Sequence, residues 1–387
     1  MAHSGLVRAR AILKDRRARI EELKKQGKKI VGYLSIHVPL EIISGLDMIP
    51  FRIIGDIREP VTEADKGLPA AFCPYMRSVL DLAIKGKFGF LDGFIMNHTC
   101  DAQEKTVRVL TSFVKFPFVH FLDMPSTVND YAVDYYRKEL ADFKQCLEDF
   151  AGKKLDDARL NEMISIYNEQ RALVRRLYAL KRPDPPLISG RETLEVVMAL
   201  QSLPVQEGNE LLREVIAEVE ERRQGGPSKK ARILVWGSVI DDPVFLDAIE
   251  SSGANVVMDD LDEGTKPYWN DVGADGDPLH RLAERYLTGI RAARTFRDAA
   301  DGEPKKDHFK DLSVRYGYLK SMVEEWKVDG VLLQSLRYCD PHGYELVDVM
   351  DYFHFLDVPA IYVEHTYSEG SLAPIRTRVE GFVETLE

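Results

Sequence analysis

Long apolar runs, paired cysteines and nucleotide-binding glycine loops are all missing from this 387-residue chain, and each absence removes a class of function. No stretch of about 18 apolar residues exists, so nothing in the sequence is built to span a bilayer as a helix. The four cysteines lie far apart and form no C-x-x-C pair, which excludes the zinc-finger, thioredoxin and ferredoxin motifs defined by spacing. Neither a G-x-x-x-x-G-K-[ST] loop nor a G-x-G-x-x-G fingerprint occurs, so ATP hydrolysis and nicotinamide binding are not expected here. Cations are in the minority: 52 Lys+Arg against 63 Asp+Glu leave a net charge of −11. That balance argues against general nucleic-acid binding, which draws its affinity from neutralised phosphates. It argues equally against a polybasic membrane-surface protein. The segment Met1 to Lys29 is polar and helix-forming, without the apolar centre of a signal peptide. The expected location is cytoplasmic, where thiols serve as packing residues, metal ligands or nucleophiles rather than as structural disulfides.

What is present is ordinary globular composition, 45% hydrophobic and 30% charged, in a length that suggests two or three domains. Apolar runs at Ile30 to Leu34, Phe51 to Ile54, Gly93 to Met96 and Phe118 to Leu122 read as strands. Leu40 to Gly45, Pro74 to Lys85 and Asp101 to Phe113 between them have helical spacing, which implies a parallel sheet with crossover helices. From Ser126 to Gln224 the pattern is helical, with helices at Val133 to Phe150, Asp156 to Leu180 and Gly208 to Arg223. Gly225-Gly226-Pro227-Ser228 reads as a linker before a second α/β region that opens at Ala231. The expected organisation is an α/β fold of two similar doubly wound parallel-sheet domains joined by a helical middle. Their ranges are residues 1–125 with a leading helix, 126–228 for the helical segment and 229–387.

The two α/β regions share a grammar. Lys29-Ile30-Val31-Gly32-Tyr33 matches Arg232-Ile233-Leu234-Val235-Trp236, and Leu91-Asp92-Gly93-Phe94 matches Val328-Asp329-Gly330-Val331. The latter strands each run into a Cys-Asp pair, Cys100-Asp101 and Cys339-Asp340, and then into a helix. Ligands of open parallel sheets bind at the carboxyl ends of the strands, and a helix N-terminus favours a thiolate. Cys73, before Pro74, has its own helix start. Three thiolates could therefore converge in one cleft between the domains. Packing is the competing reading, since free cysteine is among the most buried residue types. Cys146 lies within an amphipathic helix and is read as a bystander.

Phe72-Cys73-Pro74, His98-Thr99-Cys100-Asp101, Tyr338-Cys339-Asp340-Pro341 and the tail Ile375-Arg376-Thr377-Arg378-Val379-Glu380-Gly381-Phe382 together resemble the 2-hydroxyacyl-CoA dehydratase/benzoyl-CoA reductase family over nearly the whole chain. The resemblance implies that Cys73, Cys100 and Cys339 bind a [4Fe–4S] cluster between two α/β domains. It implies a homologous larger cluster-binding subunit, a separate ATP-hydrolysing iron–sulfur activator and an acyl-CoA or aryl-CoA substrate. The implied chemistry is ketyl-type: a low-potential electron adds to a thioester carbonyl, leading to ring reduction or to loss of a hydroxyl group. The leading expectation is the smaller subunit of an ATP-dependent benzoyl-CoA (aryl-CoA) reductase, followed by a subunit of a 2-hydroxyacyl-CoA dehydratase. A non-catalytic or electron-relay cluster scaffold is the reading of another class, and three thiolates plus water on zinc is the alternative metal site.

Proton donors must lie close to the reacting group. His98, two residues before Cys100, and His342, three after Cys339, are the first candidates, with Glu59 at the mouth of the cleft as a third. Phe72, Tyr75, Phe94, Phe113 and Tyr338 are candidates for a water-excluding wall. Arg58, Arg77 and Lys105 are candidates for CoA phosphates, and Asp101 and Asp340 are expected to cap helices.

Overall fold

A computed structural model describes residues 4–222, 225–226, 229–297 and 307–386. Of the expected linker, Pro227 and Ser228 lie outside the described residues, as do Arg223 and Gln224 at the end of the expected helical stretch. Among the described residues, eight strands form two four-stranded sheets. The first contains β1 (Ile30–Tyr33), β2 (Ile49–Arg52), β3 (Gly93–Asn97) and β4 (Phe118–Leu122), in the order β2-β1-β3-β4. The second contains β5 (Ala231–Gly237), β6 (Ala254–Asp260), β7 (Gly330–Leu336) and β8 (Ala360–His365), in the order β6-β5-β7-β8. Every pairing is parallel, and the two orders are the same once the second is renumbered from its first strand. The fold is α/β with two doubly wound halves.

The inner strands β1, β3, β5 and β7 are buried along their whole length, which is why they read as unbroken apolar runs rather than alternating ones. One device is repeated in both halves. Asp92 exchanges two hydrogen bonds with Ile30: its N–H donates to the Ile30 carbonyl at 2.8 Å, and its Oδ2 accepts the Ile30 N–H at 2.8 Å. Asp329 does the same with Arg232, again at 2.8 Å and 2.8 Å. This pins the register of the two central strands in each half. It also moves the expected match by one residue: Arg232 is the structural counterpart of Ile30, not of Lys29.

The helical middle is divided between the halves. The Asp130–Ala151 helix puts Tyr136, Leu140, Phe143 and Leu147 into a core shared with β1 and β3. The Asp157–Ala179, Gly190–Leu200 and Val205–Glu220 helices contribute to the core under the second sheet. The first helix of the chain, Gly5–Lys14, packs on that group through Leu6 and Ala9, and Ser4 Oγ donates to Glu218 at 2.6 Å. The Ala18–Lys25 helix instead covers β1 and β2 with Ile20 and Leu23. Among the described residues no helix is long and apolar enough to cross a membrane.

Candidate functional site

Cys73, Cys100 and Cys339 occupy the same local position, the N-cap of a helix. The helices are Pro74–Ile84, Asp101–Phe113 and Asp340–Phe355. Cys100 follows the end of β3 by three residues, and Cys339 follows the end of β7 by three residues. Cys100 Sγ accepts the Gln103 N–H at 3.4 Å. Backbone N–H groups of Tyr75 and Met76 point at Cys73, and that of His342 points at Cys339. Asp101 and Asp340 sit one residue inside the helices, so the expected aspartate caps are cysteine caps instead. The chain reaches Cys339 through Tyr338 at φ +63°, a left-handed turn that redirects β7 into its helix.

The three cysteines line one cavity between the halves, with about 620 Å³ of atom-free space including its mouth. They are close enough for charge on one to be felt by another: ionised Cys73 and Cys100 each oppose ionisation of Cys339. Helix starts were expected to favour thiolates, yet burial wins. Desolvation pushes Cys73 up to about 12 and raises Cys100 and Cys339 as well, against the backbone N–H groups that lower them. Without a cation the three groups are thiols.

The remaining lining supplies polar atoms with no partner among the described residues. His342 is buried, its Nδ1 lies 3.5 Å from Cys339 Sγ, and its Nε2 is unpartnered. Burial, with Lys266 adding to it, holds this imidazole neutral, well below its ordinary range. His37 comes from the loop after β1; its Nδ1 is 3.0 Å from the Tyr286 carbonyl and its Nε2 is unpartnered. Burial lowers it to about 3. Arg294 binds the carbonyls of Met124 at 2.8 Å and Pro125 at 2.7 Å and leaves Nε buried without a partner. Desolvation lowers this guanidinium to about 10, and an ionised Cys100 would raise it. Met76, Val239 and Leu336 complete an apolar wall. Three convergent thiols in an apolar setting, among lining residues that carry buried unpartnered nitrogens, fit a thiolate-ligated iron–sulfur group.

Other candidates fall elsewhere. His98 is 40% exposed at its side chain, 3.7 Å from both Glu104 and Asp123, and does not line the cavity. Glu59 is paired with Lys85 at 2.9 Å, away from the cavity. Of the expected aromatic wall only Tyr75 lines the site; Phe94 is in the core, Phe72 packs at its edge, and Phe113 and Tyr338 are exposed because their helix and turn face outward. Arg58 is held by Asp242 and Glu369, Arg77 by Asp65 and the Leu68 carbonyl, and exposed Lys105 lies 3.6 Å from Glu104. Cys146 is exposed. His37, Asp262 and Arg294 were not found from the sequence, since they come from loops distant from every cysteine motif.

The family model described as 2-hydroxyglutaryl-CoA dehydratase, D-component, matches residues 35–386. A benzoyl-CoA reductase subunit of Thauera aromatica is 28% identical over 373 residues, covering 93% of this chain and 91% of that protein. The beta subunit of the lactoyl-CoA dehydratase of Anaerotignum propionicum is 25% identical over 365 residues, covering 93% and 92%. The beta subunit of the (R)-phenyllactyl-CoA dehydratase of Clostridium sporogenes is 22% identical over 376 residues, covering 95% and 94%. With that match across nearly its whole length, the chain belongs to the 2-hydroxyglutaryl-CoA dehydratase D-component family of enzyme subunits, whose members include benzoyl-CoA reductase and 2-hydroxyacyl-CoA dehydratase subunits.

Proposed function

We propose that Cys73, Cys100 and Cys339 hold a [4Fe–4S] cluster and that the chain is the smaller cluster-binding subunit of an ATP-dependent aryl-CoA reductase of the benzoyl-CoA type. Electrons would come from a separate ATP-hydrolysing activator, and the partner would be a larger homologous subunit. The observation that carries the reading is the convergence of three N-cap thiols in one cavity between two matching halves. The reductase choice is supported by the 28% identity to a benzoyl-CoA reductase subunit, against 22% and 25% for the two dehydratase subunits compared above. When bound, such a cluster supplies single electrons at low potential and, with three protein thiolates, an iron position open to a further ligand.

The chain's own residues prepare the site in three ways. His37 and His342 are neutral at physiological pH; His37 donates its Nδ1–H to the Tyr286 carbonyl, so its unpartnered Nε2 is an acceptor, while His342 keeps either tautomer open beside Cys339. Arg294 places a fixed positive charge near Cys100, where it offsets negative charge that thiolate ligation brings. Met76, Val239 and Leu336 keep water away, which strengthens every polar contact made inside. The second reading, a 2-hydroxyacyl-CoA dehydratase subunit, is favoured by the family model's own description. Anaerobic reconstitution with partner and activator, assayed on benzoyl-CoA and on 2-hydroxyacyl-CoA substrates, separates the two. Ring reduction is expected; dehydration without it moves the assignment to the second. About four iron and four sulfide per chain are expected, and zinc without sulfide would overturn the cluster.

A further inference from the structure

A second cavity lies at the carboxyl ends of β1 and β2, with about 470 Å³ of atom-free space including its mouth. It is closed by the Asp157–Ala179 helix on one side and by residues between Asp262 and Tyr286 on the other. Three guanidinium groups line it, each nearly out of solvent: Arg52 is 2% exposed, Arg171 3% and Arg285 4%. Two of the three have their own carboxylate. Arg52 pairs with Glu263 at 2.9 Å, and Arg171 pairs with Glu41, which also accepts the Tyr286 hydroxyl at 2.8 Å.

Arg285 has no such carboxylate among the described residues. Its Nε donates to the Asn270 carbonyl at 3.2 Å, its Nη2 to the Pro267 carbonyl, and its guanidinium carbon lies 4.5 Å from the centre of the Tyr286 ring. The acids that act on it most, Glu41 and Asp271, are already engaged by Arg171 and, at 2.8 Å, by Arg175. Burial and the like charge of Arg171 both work against its ionised form. Carbonyl oxygens satisfy hydrogen-bonding but carry no net charge, so the cation is left uncompensated in a low-dielectric setting. Around it are further groups without partners among the described residues. Arg52 Nε and Gln201 Oε1 are buried and unpaired, and the Gln201 amide is turned so that its Nε2 donates to the Glu263 carbonyl at 3.5 Å. The Tyr33 and Tyr268 hydroxyls also line the space, make no hydrogen bond to another described residue and stay protonated because burial raises both. Asp262, a carboxylate in the lining, acts with Glu263 on Arg52 rather than on Arg285, and lies 4.0 Å from Lys266, whose nearer partner is Asp260 at 3.3 Å.

We propose that this cavity is a binding site for a small oxyanion, with Arg285 as its counter-charge and Arg52, Tyr33 and Tyr268 as hydrogen-bond donors. Planar guanidinium forks and hydroxyls match the oxygens of a carboxylate or a phosphate, which a spherical halide would not exploit. The site is separate from the three thiols, although Asp262 lines both cavities, and the inference does not depend on the bound cluster or the acyl substrate.

The test uses the full-length protein isolated anaerobically. Acetate, inorganic phosphate and sulfate are titrated at constant ionic strength against chloride, with melting temperature and equilibrium dialysis as readouts. A saturable rise in Tm with one of the three oxyanions, bound at one per chain, is expected. Which of them gives it distinguishes a carboxylate site from a phosphate site. Tyr268→Phe should weaken that binding about fivefold, the effect of one neutral hydrogen bond. Arg285→Met should abolish it; because the variant also leaves the Asn270 and Pro267 carbonyls without their donor, its binding is read by equilibrium dialysis rather than by its own Tm. Equal Tm changes in chloride, saturable binding retained by Arg285→Met, or no binding of any of the three overturns the proposal. Iron and sulfide content, which test the cysteine site, are unaffected by any of these outcomes.

Discussion

The two halves share a strand order, a register-setting aspartate and a cysteine three residues beyond the third strand, and they part company one helix earlier. In the N-terminal half the helix that precedes β3 is capped by Cys73. In the C-terminal half the helix that precedes β7, His308–Glu325, is capped by Asp307, whose Oδ1 accepts the Lys310 N–H at 3.2 Å. Strict symmetry would have supplied four thiols; the difference leaves three. Asp is an ordinary cap whose side chain serves its helix, whereas Cys73, in the same position, makes no cap hydrogen bond and lines the cavity. A frame repeated in both halves thus presents an odd number of thiols, which, if they hold a metal group, suits a reactive site better than a closed structural one.

The largest effect should come from breaking the shared part. Replacing Cys100 or Cys339 by alanine should remove the iron and reduce activity by more than the about 10–100-fold associated with outer-shell changes at metal sites. Iron analysis and activity of the reconstituted complex check this, and Cys73→Ala should match them. Full iron retention in Cys339→Ala would defeat the assignment.

Next is a difference in acid sensitivity. His37 in the first half and His365 in the second are both buried neutral, at about 3 and about 4, through desolvation. Each has a folded value below the unfolded one, so the unfolded chain binds more protons as pH falls below about 6.5, and stability is lost on acidification. The slope is about 1.4 kcal/mol per pH unit per residue, so His37→Asn should spare about 2 kcal/mol between about pH 6.5 and pH 5. Loss at His365 should level off sooner, near its higher folded value. Asp241, raised by burial to about 6, has the opposite sign and gains stability over part of that range. The comparison is therefore of variant with parent in denaturant melts at each pH.

A smaller effect separates the two strand-pinning aspartates. Asp92 also pairs with Lys24 at 2.9 Å, while Asp329 is exposed. Asp92→Ala should cost about 1.5–3 kcal/mol and Asp329→Ala about 0.5–1.5 kcal/mol; equal costs in urea melts would mean that the ion pair adds nothing. The smallest change is expected at Cys146, exposed and outside the cavity, where alanine should stay within about 0.5 kcal/mol with unchanged iron.

Much of the architecture was legible because buried parallel strands announce themselves as short apolar runs. The strand Phe118–Leu122 and the helix Asp101–Phe113 match the expected bounds. The Gly190–Leu200 helix falls inside the stretch read as helical, but its bounds were not legible, since its last residues Val196-Val197-Met198-Ala199-Leu200 are apolar on every face and show no period. Ser189 and Glu192, which form a capping box, were the available signal. At the site, the cysteines were legible from repeated local context, and their neighbours were not. His98 and Glu59 are close to cysteines or strand ends in sequence, yet their backbone directs them to Glu104, Asp123 and Lys85. His37 and Arg294 reach the cavity only through tertiary folding.

The protons on the buried thiols give the site a chemical lock. A thiol held at about 12, as Cys73 is, makes a poor nucleophile, so the bare chain should resist alkylation and disulfide exchange there although its cysteines are free. Any metal that takes all three sulfurs must expel three protons, so occupancy becomes harder as the medium acidifies. What guards the thiols before assembly is the same burial that makes assembly a proton-releasing step.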